Sequence, residues 1–225
     1  MWTLVVAATV ALVGIWLVND AWFALVWRAL AGRADGALRR RKAELLGPLT
    51  GRVVEIGAGL GSTIQYYGAG VTELTLVEPN TAMHAALRAA AGTSRHAPHT
   101  TIVAGGGEAL DAVATSSADA VVSILTLCSV ADLARVIAEA HRVLKPGGRF
   151  VFIEHVRAAS AYTALLQRAV DATALYALLA GGCHLHRDTV GAIASGAGRW
   201  ARLDARSAAA FTEFPLPLAW GVAVK

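Results

Sequence analysis

Three glycines, Gly57, Gly59 and Gly61, recur at every second position directly after an apolar run that ends at Ile56. Glycine at a strand-to-helix turn lets the backbone approach a ligand closely, because no Cβ intrudes. The spacing departs from the dinucleotide fingerprint, which disfavours NAD and a pyrophosphate. Glu55, just before the loop, suits a ligand that carries positive charge, such as an ammonium or a sulfonium group. The alternative is a tight turn beside a solvated glutamate.

Two further carboxylates follow later apolar runs. Glu78, with Pro79 after it, ends the second run, where an acidic side chain can accept hydrogen bonds from both hydroxyls of a ribose. Glu108 follows the third run and could accept a hydrogen bond from an adenine amino group. Ligands of open α/β sheets bind at the carboxyl ends of the strands. We therefore expect these residues and Leu125, at the end of the fourth run, to surround one crevice. The alternative for Glu78 is a simple charge at the end of a strand. The alternative for Glu108 is an ordinary acidic residue in a loop.

A second group of residues could serve a molecule that reacts beside this crevice. Glu154 and His155 end the fifth run, and His155 could either assist a deprotonation or orient the reactant through a hydrogen bond. The same pocket could be lined by Cys128, Cys183 and His184. A free cysteine is more often a small apolar group than a nucleophile, so we expect Cys128 to line the pocket rather than to react. No Ser-His-Asp relay and no pair of carboxylates is readable near these positions.

Cys183, His184 and His186 lie close enough in sequence to suggest metal ligands. Three neighbouring ligands without a distant partner make a poor site, so we expect no metal. The chain contains only two cysteines, which implies neither a disulfide framework nor a zinc ribbon. A reducing compartment is the default for such a chain.

Short β-branched runs alternate with alanine-rich helical stretches, which is typical of an α/β fold with a mostly parallel sheet and helices on both faces. Strands are expected at 52–56, 74–78, 100–104, 120–125, 149–153 and 220–224. A glycine loop and a helix are expected at 57–67, and further helices at 81–91, 132–144 and 162–179. This arrangement would bring the glycine loop and the strand-end carboxylates to one edge of the sheet.

The N-terminus differs from the rest of the chain, because residues 1–18 include no charged side chain. As a helix they would span ~27 Å, against a hydrocarbon core of ~30 Å. Tryptophans near the ends of this segment favour the headgroup zone of a membrane. We expect a hydrophobic membrane anchor at 1–30, a basic linker at 31–46 and a catalytic domain at 47–225. A cleaved signal peptide and a buried helix are alternatives, and the segment could span the bilayer or lie in its plane.

Basic residues follow the apolar segment: six basic side chains and one acidic side chain fall between positions 28 and 42. Positive charge on this side predicts a membrane-associated protein whose catalytic domain faces the cytoplasm, with membrane lipids as partners of the N-terminus. The formal net charge of the whole chain is +4, and its mean hydropathy is +0.52. The remainder of the chain is near neutral, so a nucleic-acid partner is not expected.

Several motifs resemble those of class I S-adenosylmethionine-dependent methyltransferases. These motifs are EIGAGLG at 55–61, EPN at 78–80 and RVLKPGG at 142–148. Others resemble the membrane-anchored thiol methyltransferases, the methyltransferase-like protein seven family. They are LCSV at 127–130, EHV at 154–156, GCHLHR at 182–187 and GVAVK at 221–225. The likeness covers about positions 45 to 225 and implies a Rossmann-like fold of the class I type.

This resemblance implies S-adenosylmethionine as the cofactor and methylation of small alkyl thiols or hydrogen sulfide at a membrane surface. We expect the acceptor of the methyl group to be a small, lipophilic thiol. The chain departs from the family pattern near its C-terminus, where Leu218 stands in the place of a histidine. A membrane lipid or a quinone is the alternative acceptor. A non-catalytic, membrane-tethered cofactor-binding module is the alternative outside the enzyme class.

Overall fold

Seven strands form one sheet in a computed structural model that describes residues 14, 19–96, 99–196, 200–209 and 216–225. Their bounds are β1 Gly51–Ile56, β2 Val71–Val77, β3 Thr100–Val103, β4 Ala118–Ile124, β5 Leu144–His155, β6 Arg202–Ala208 and β7 Leu218–Val224. The strand order is β3-β2-β1-β4-β5-β7-β6. The first five strands run parallel to their neighbours, whereas β7 lies antiparallel between β5 and β6. The expected mostly parallel α/β sheet is confirmed.

Helices cover both faces of this sheet. They are α1 Asn19–Leu46, α2 His84–Gly92, α3 Leu133–Val143, α4 Ala161–Ala172, α5 Leu175–Leu179 and α6 Thr189–Ser195. Alternate residues of each strand point to opposite faces, so Val53 packs with Leu38 of α1 in one hydrophobic cluster. Val54 packs with Ile137 of α3 in the other. Burial of apolar surface on both sides stabilises the edge that positions the site.

The helix α1 joins the predicted anchor to the predicted linker without a break at position 30. Its buried residues recur at helical spacing and face the domain; they are Ala24, Ala31, Leu38, Lys42 and Leu46. Lys42, although buried, donates to Asp35 Oδ1 at 2.7 Å. The boundaries expected at 30 and 46 stay predictions, but α1 packs along the catalytic domain over much of its length.

The apolar run 1–18 lies outside the described residues apart from Gly14. Among the residues that the structure describes, no helix has both the length and the apolar character to cross a bilayer. The N-terminal membrane helix therefore stays a prediction.

Two expected helices differ from those observed. Gly57, Gly59 and Gly61 have φ values of +67°, +55° and +80°, which no α-helix contains, and they form the expected loop. Only a 3-10 turn, Ile64–Tyr66, follows this loop, because Tyr67 is extended and ends the turn. The helix expected at 162–179 is divided into α4 and α5, since Ala174 between them is left-handed with φ of +54°.

One strand and one helix have no counterpart in the sequence-based expectation. The strand β6 lies at the sheet edge and exposes most of its residues, so its sequence lacks the apolar alternation that marks a half-buried strand. The helix α6 has only seven residues, too few to display a helical period.

Candidate active site

A cavity of about 360 Å³ opens at the carboxyl edge of the parallel strands, within the range of small-molecule sites. It is lined by the turn after β1, the ends of β2 and β4, and the loops after β3 and β4. Six of the eight residues that the sequence assigns to cofactor binding line it: Gly57, Gly59, Glu78, Pro79, Glu108 and Leu125. The strands therefore bring these separated residues to one crevice.

The carboxylate of Glu78 is held at the end of β2 by backbone donors. Its Oε2 accepts from the amide of Gly59 at 2.8 Å, and its Oε1 accepts from the amide of Asn80 at 2.8 Å. Burial raises the pKa of this carboxyl above its usual value, although both amide hydrogen bonds oppose that shift. The side chain is thus preorganised beside the glycine loop, where a ribose would need an acceptor.

The glycine loop is fixed by β2 and covered by α1. The amides of Gly57 and Ala58 both donate to the carbonyl of Val77, at 2.8 and 3.1 Å. A Cβ on Gly59 would lie 3.3 Å from the indole nitrogen of Trp27. Gly61 does not line the cavity, and a Cβ there would lie 2.9 Å from the side chain of Ala90. The role of Gly61 in cofactor binding stays a prediction; its amide donates to the carbonyl of Ala58 at 2.9 Å.

Glu55 lies beneath the loop and outside the main cavity. It is buried, it accepts from the hydroxyl of Thr63, and its Oε2 accepts from the hydroxyl of Tyr67 at 2.7 Å. Burial is the main cause that raises the pKa of Glu55 to about 7, while these hydrogen bonds oppose the shift. A direct contact with the positive end of a ligand stays a prediction.

Glu108 lines the opposite side of the cavity and connects two loops. Its Oε1 accepts from the amide of Ala131 at 2.9 Å, which joins the loop after β3 to the loop after β4. This contact leaves the carboxylate beside the cavity, where an adenine amino group is expected.

The helix α1 closes the cavity from above, which the sequence did not predict. Its residues Asn19, Asp20, Phe23 and Trp27 line the cavity. The side-chain amide of Asn80 donates to the carbonyl of Asp20 at 2.8 Å. The interruption of the apolar run by Asn19 and Asp20 was the available signal, because two polar residues there indicate a change of surroundings.

The part of the cavity lining nearest in sequence to Cys128 and Cys183 is formed by Ser129, Val130 and Gly181, none of which carries a titratable side chain. The titratable residues of the lining are Asp20, Glu78 and Glu108. Cys128 and Cys183 are buried and do not line the cavity. His184 joins the two loops through its backbone amide, which donates to the carbonyl of Cys128 at 2.9 Å. The predicted acceptor-pocket residues are therefore adjacent to the cavity rather than part of its lining.

The two candidate catalytic residues at the end of β5 are both buried and do not line the cavity. Glu154 accepts from the hydroxyl of Ser123 at 2.7 Å and from the amide of Thr126 at 3.1 Å. Burial raises the pKa of Glu154. His155 contacts Cys183, with Nε2 and Sγ 3.3 Å apart. A direct catalytic role for either residue stays a prediction.

The sequence is similar to those of known methyltransferases. A family model described as a methyltransferase domain matches residues 54–152. A thiol S-methyltransferase of Rattus norvegicus is 33% identical over 189 residues, covering 80% of this chain and 76% of the relative. A thiol S-methyltransferase of Homo sapiens is 34% identical over 174 residues, covering 77% of this chain and 70% of the relative.

A solved structure shares the fold at low sequence identity. It is geranyl diphosphate C-methyltransferase from Streptomyces coelicolor A3(2) in complex with Mg²⁺, geranyl-S-thiolodiphosphate and S-adenosyl-L-homocysteine. The TM-score is 0.57 at 15% identity, over 84% of this chain and 75% of that chain.

Proposed function

Because this chain belongs to the thiol S-methyltransferase family of class I methyltransferases, we propose that the acceptor of its methyl group is a small, lipophilic thiol. The chain is an S-adenosylmethionine-dependent methyltransferase, and S-adenosylmethionine is its cofactor.

The donor half of the reaction follows from the residues of the cavity. Glu78 would accept from the ribose hydroxyls, Glu108 would accept from the adenine amino group, and the loop at Gly57 and Gly59 would lie against the donor. When bound, S-adenosylmethionine supplies an electrophilic methyl group on a sulfonium. The residues of the cavity bind this donor, exclude water from it and orient it for in-line displacement.

The observation that carries the thiol proposal is that the lining residues near Cys128 and Cys183 in sequence, which are Ser129, Val130 and Gly181, have no titratable side chain. The carboxylates of the lining are those of Asp20, Glu78 and Glu108, and the last two are assigned to the donor. An alcohol or an amine acceptor needs a nearby base, whereas a few per cent of a thiol is already thiolate near neutral pH. The proton of the thiol can leave to solvent before the thiolate attacks. Glu154 supports the lining near Ser129 as a positioning residue, because it holds the amide of Thr126 at the cavity edge.

A pH–rate series tests the acceptor with full-length protein, two thiols of different pKa, and matched phenol, amine and quinone acceptors. Turnover with each thiol is expected to rise with pH and to level near that thiol's own pKa, because only the thiolate attacks. A clear preference for the phenol, the amine or the quinone at equal donor concentration would contradict the proposal.

We propose further that the enzyme works at a membrane surface with its catalytic domain on the cytoplasmic side. Beside the apolar run 1–18, exposed large apolar side chains support this location. On α4 they recur at positions of one helix face: Tyr162, Leu165, Leu166 and Val170. Leu25 and Leu30 of α1 are also exposed. Such surfaces mark sites of protein or membrane contact.

Basic side chains favour the same location and set the orientation. Arg28, Arg33, Arg39 and Arg40 are exposed along α1, directly after the apolar run. Anionic lipids of a cytoplasmic leaflet attract such a cluster, and positive charge is retained on the cytoplasmic side. A membrane would concentrate apolar thiols beside the cavity.

A further inference from the structure

Two cysteines and one histidine from three separate parts of the chain meet behind the acceptor side of the cavity. Cys128 follows β4, His155 ends β5, and Cys183 lies in the loop after α5. One ligand atom of each residue lies within 4.8 Å of the others, and all three side chains are buried. We propose that Cys128, His155 and Cys183 form a binding site for one Zn²⁺ ion, with three protein ligands.

The chemistry of the three side chains matches this ion. Thiolates and imidazole are the ligands that Zn²⁺ prefers, and two cysteines with one histidine form a known zinc ligand set that leaves a fourth position open. With Zn–S near 2.3 Å and Zn–N near 2.0 Å, ligand atoms of a tetrahedral site lie roughly 3.5–3.8 Å apart. Cys183 Sγ and His155 Nε2 are already 3.3 Å apart. Small side-chain adjustments would complete the site.

The surroundings suit a neutral metal complex. The apolar residues that pack with the two cysteines are Leu185, Tyr176, Ala180 and Leu216, and the hydroxyl of Ser129 lies 3.5 Å from Cys128 Sγ. Two thiolates, a neutral imidazole and Zn²⁺ carry no net charge, so their burial avoids the large penalty of an unpaired ion.

Backbone and arginine contacts hold the cluster independently of a metal. Arg187 Nη1 donates to the carbonyls of Leu127 and Val130, each at 2.7 Å. The amide of His184 donates to the carbonyl of Cys128 at 2.9 Å. These bonds fix the two cysteine-bearing loops against each other and preorganise the ligands. Single ligand variants are therefore expected to fold.

From the sequence alone we considered a different set of neighbours, Cys183, His184 and His186, and predicted no metal. Within the part of the chain that the structure describes, the cluster joins Cys183 to Cys128 and His155, and it does not include His184 or His186. The distant partners that the local spacing lacked are supplied by the ends of β4 and β5. The proposal does not depend on the identity of the methyl acceptor.

The test is the metal content of full-length protein purified in detergent without chelators. We expect about one zinc per chain in the wild type and in His186→Gln, the matched histidine control. Cys128→Ser, Cys183→Ser and His155→Asn should each reduce the zinc content at least tenfold, with thermal unfolding as the check of folding. Protein reconstituted with Co²⁺ should show thiolate-to-cobalt absorption that Cys128→Ser removes.

Thiol counting separates the competing outcomes, because the chain has only two cysteines. The denatured protein with chelator should react as two thiols if the cluster holds a metal. Metal-free wild type with two thiols would show that the cluster is only packed, and metal-free protein with no reactive thiol would show a disulfide. Either result, or equal zinc in wild type and folded cysteine variants, would overturn the proposal.

Discussion

Glu78 and Glu55 are buried carboxylates on either side of the glycine loop, and their partners differ. Glu78 is held by backbone amides and faces the cavity, whereas Glu55 is held by two hydroxyls beneath it. Glu78 is therefore positioned to contact a ligand in the cavity. Glu55 links β1 to Thr63 and Tyr67, so its contribution is expected in stability as well as in binding.

Replacement of Glu78 by alanine should weaken binding of S-adenosylhomocysteine roughly 10- to 150-fold. The reason is the loss of charged hydrogen bonds to the ribose, worth about 1.5–3 kcal/mol. Glu73→Ala is the control, because Glu73 lies on the same strand and forms only an exposed ion pair with Arg52. Calorimetric titration measures both variants. Equal affinities in the two would remove Glu78 from the binding site.

Glu55 should make stability depend on pH in a defined window. Its folded-state pKa of about 7 lies above the ordinary 4.5, so the folded state holds the proton longer. Protonation of Glu55 therefore contributes about 3 kcal/mol to the free energy of unfolding below pH 4.5. This contribution is lost as the pH rises through 7.

Glu55→Gln mimics the protonated acid and should remove this contribution. Urea unfolding of wild type and variant across this range gives the comparison. The stability of the variant relative to wild type should rise between pH 4.5 and 7 and stay constant above it. A difference that does not change with pH would show that Glu55 is ionised throughout.

Local spacing was enough to predict which residues line the cavity, because each strand end carries its own candidate residue. Gly59 and Glu78 could be assigned from their positions after apolar runs, and the sheet brings them together. The cluster of Cys128, His155 and Cys183 could not be assigned in this way. Its members lie on different elements, and their proximity depends on how the loops after β4 and α5 pack.

At the scale of elements, α1 lines the cavity, and hydropathy alone did not predict this contact. The apolar run and the basic cluster predicted an anchor and a linker outside the catalytic domain. The observed helix crosses that boundary and places Phe23 and Trp27 on the donor cavity. Hydropathy reports which residues avoid water but does not distinguish a membrane from a domain surface.

Two truncations separate these roles of the N-terminus. Removal of residues 1–18 leaves the lining of the cavity intact, so affinity for S-adenosylhomocysteine should remain. Removal of residues 1–30 takes away Asn19, Asp20, Phe23 and Trp27 and should weaken binding at least tenfold, about 1.4 kcal/mol. Calorimetry on both chains decides this. Unchanged affinity after the longer truncation would mean that α1 only adjoins the site.

The remaining differences between expected and observed elements have local causes. Central strands were predictable because they are buried and β-branched, whereas β6 is an exposed edge strand. Ala174 adopts a left-handed conformation that divides α4 from α5, although alanine favours helices. Such a break depends on tertiary contacts and has no local sequence signal.

At the scale of the whole molecule, the exposed face of α4 supplies a second candidate contact with a membrane. After removal of residues 1–18, the chain should still sediment with anionic vesicles, though more weakly. Leu165→Glu in that background should reduce the bound fraction several-fold, because it adds charge to the apolar face. Ala89→Glu, which adds the same charge on exposed α2, is the control. Equal sedimentation of both variants would exclude α4 from membrane contact.

The central claim is that this chain transfers a methyl group from S-adenosylmethionine to the sulfur of a small thiol. The most direct measurement follows an isotopically labelled methyl group from the donor to the product, using full-length protein and a lipophilic thiol, with mass spectrometry of the product. We predict a labelled thioether with wild type and with Glu73→Ala, and a large loss of product with Glu78→Ala at limiting donor. Label found on carbon, oxygen or nitrogen of an alternative acceptor while the thiol stays unlabelled would contradict the account.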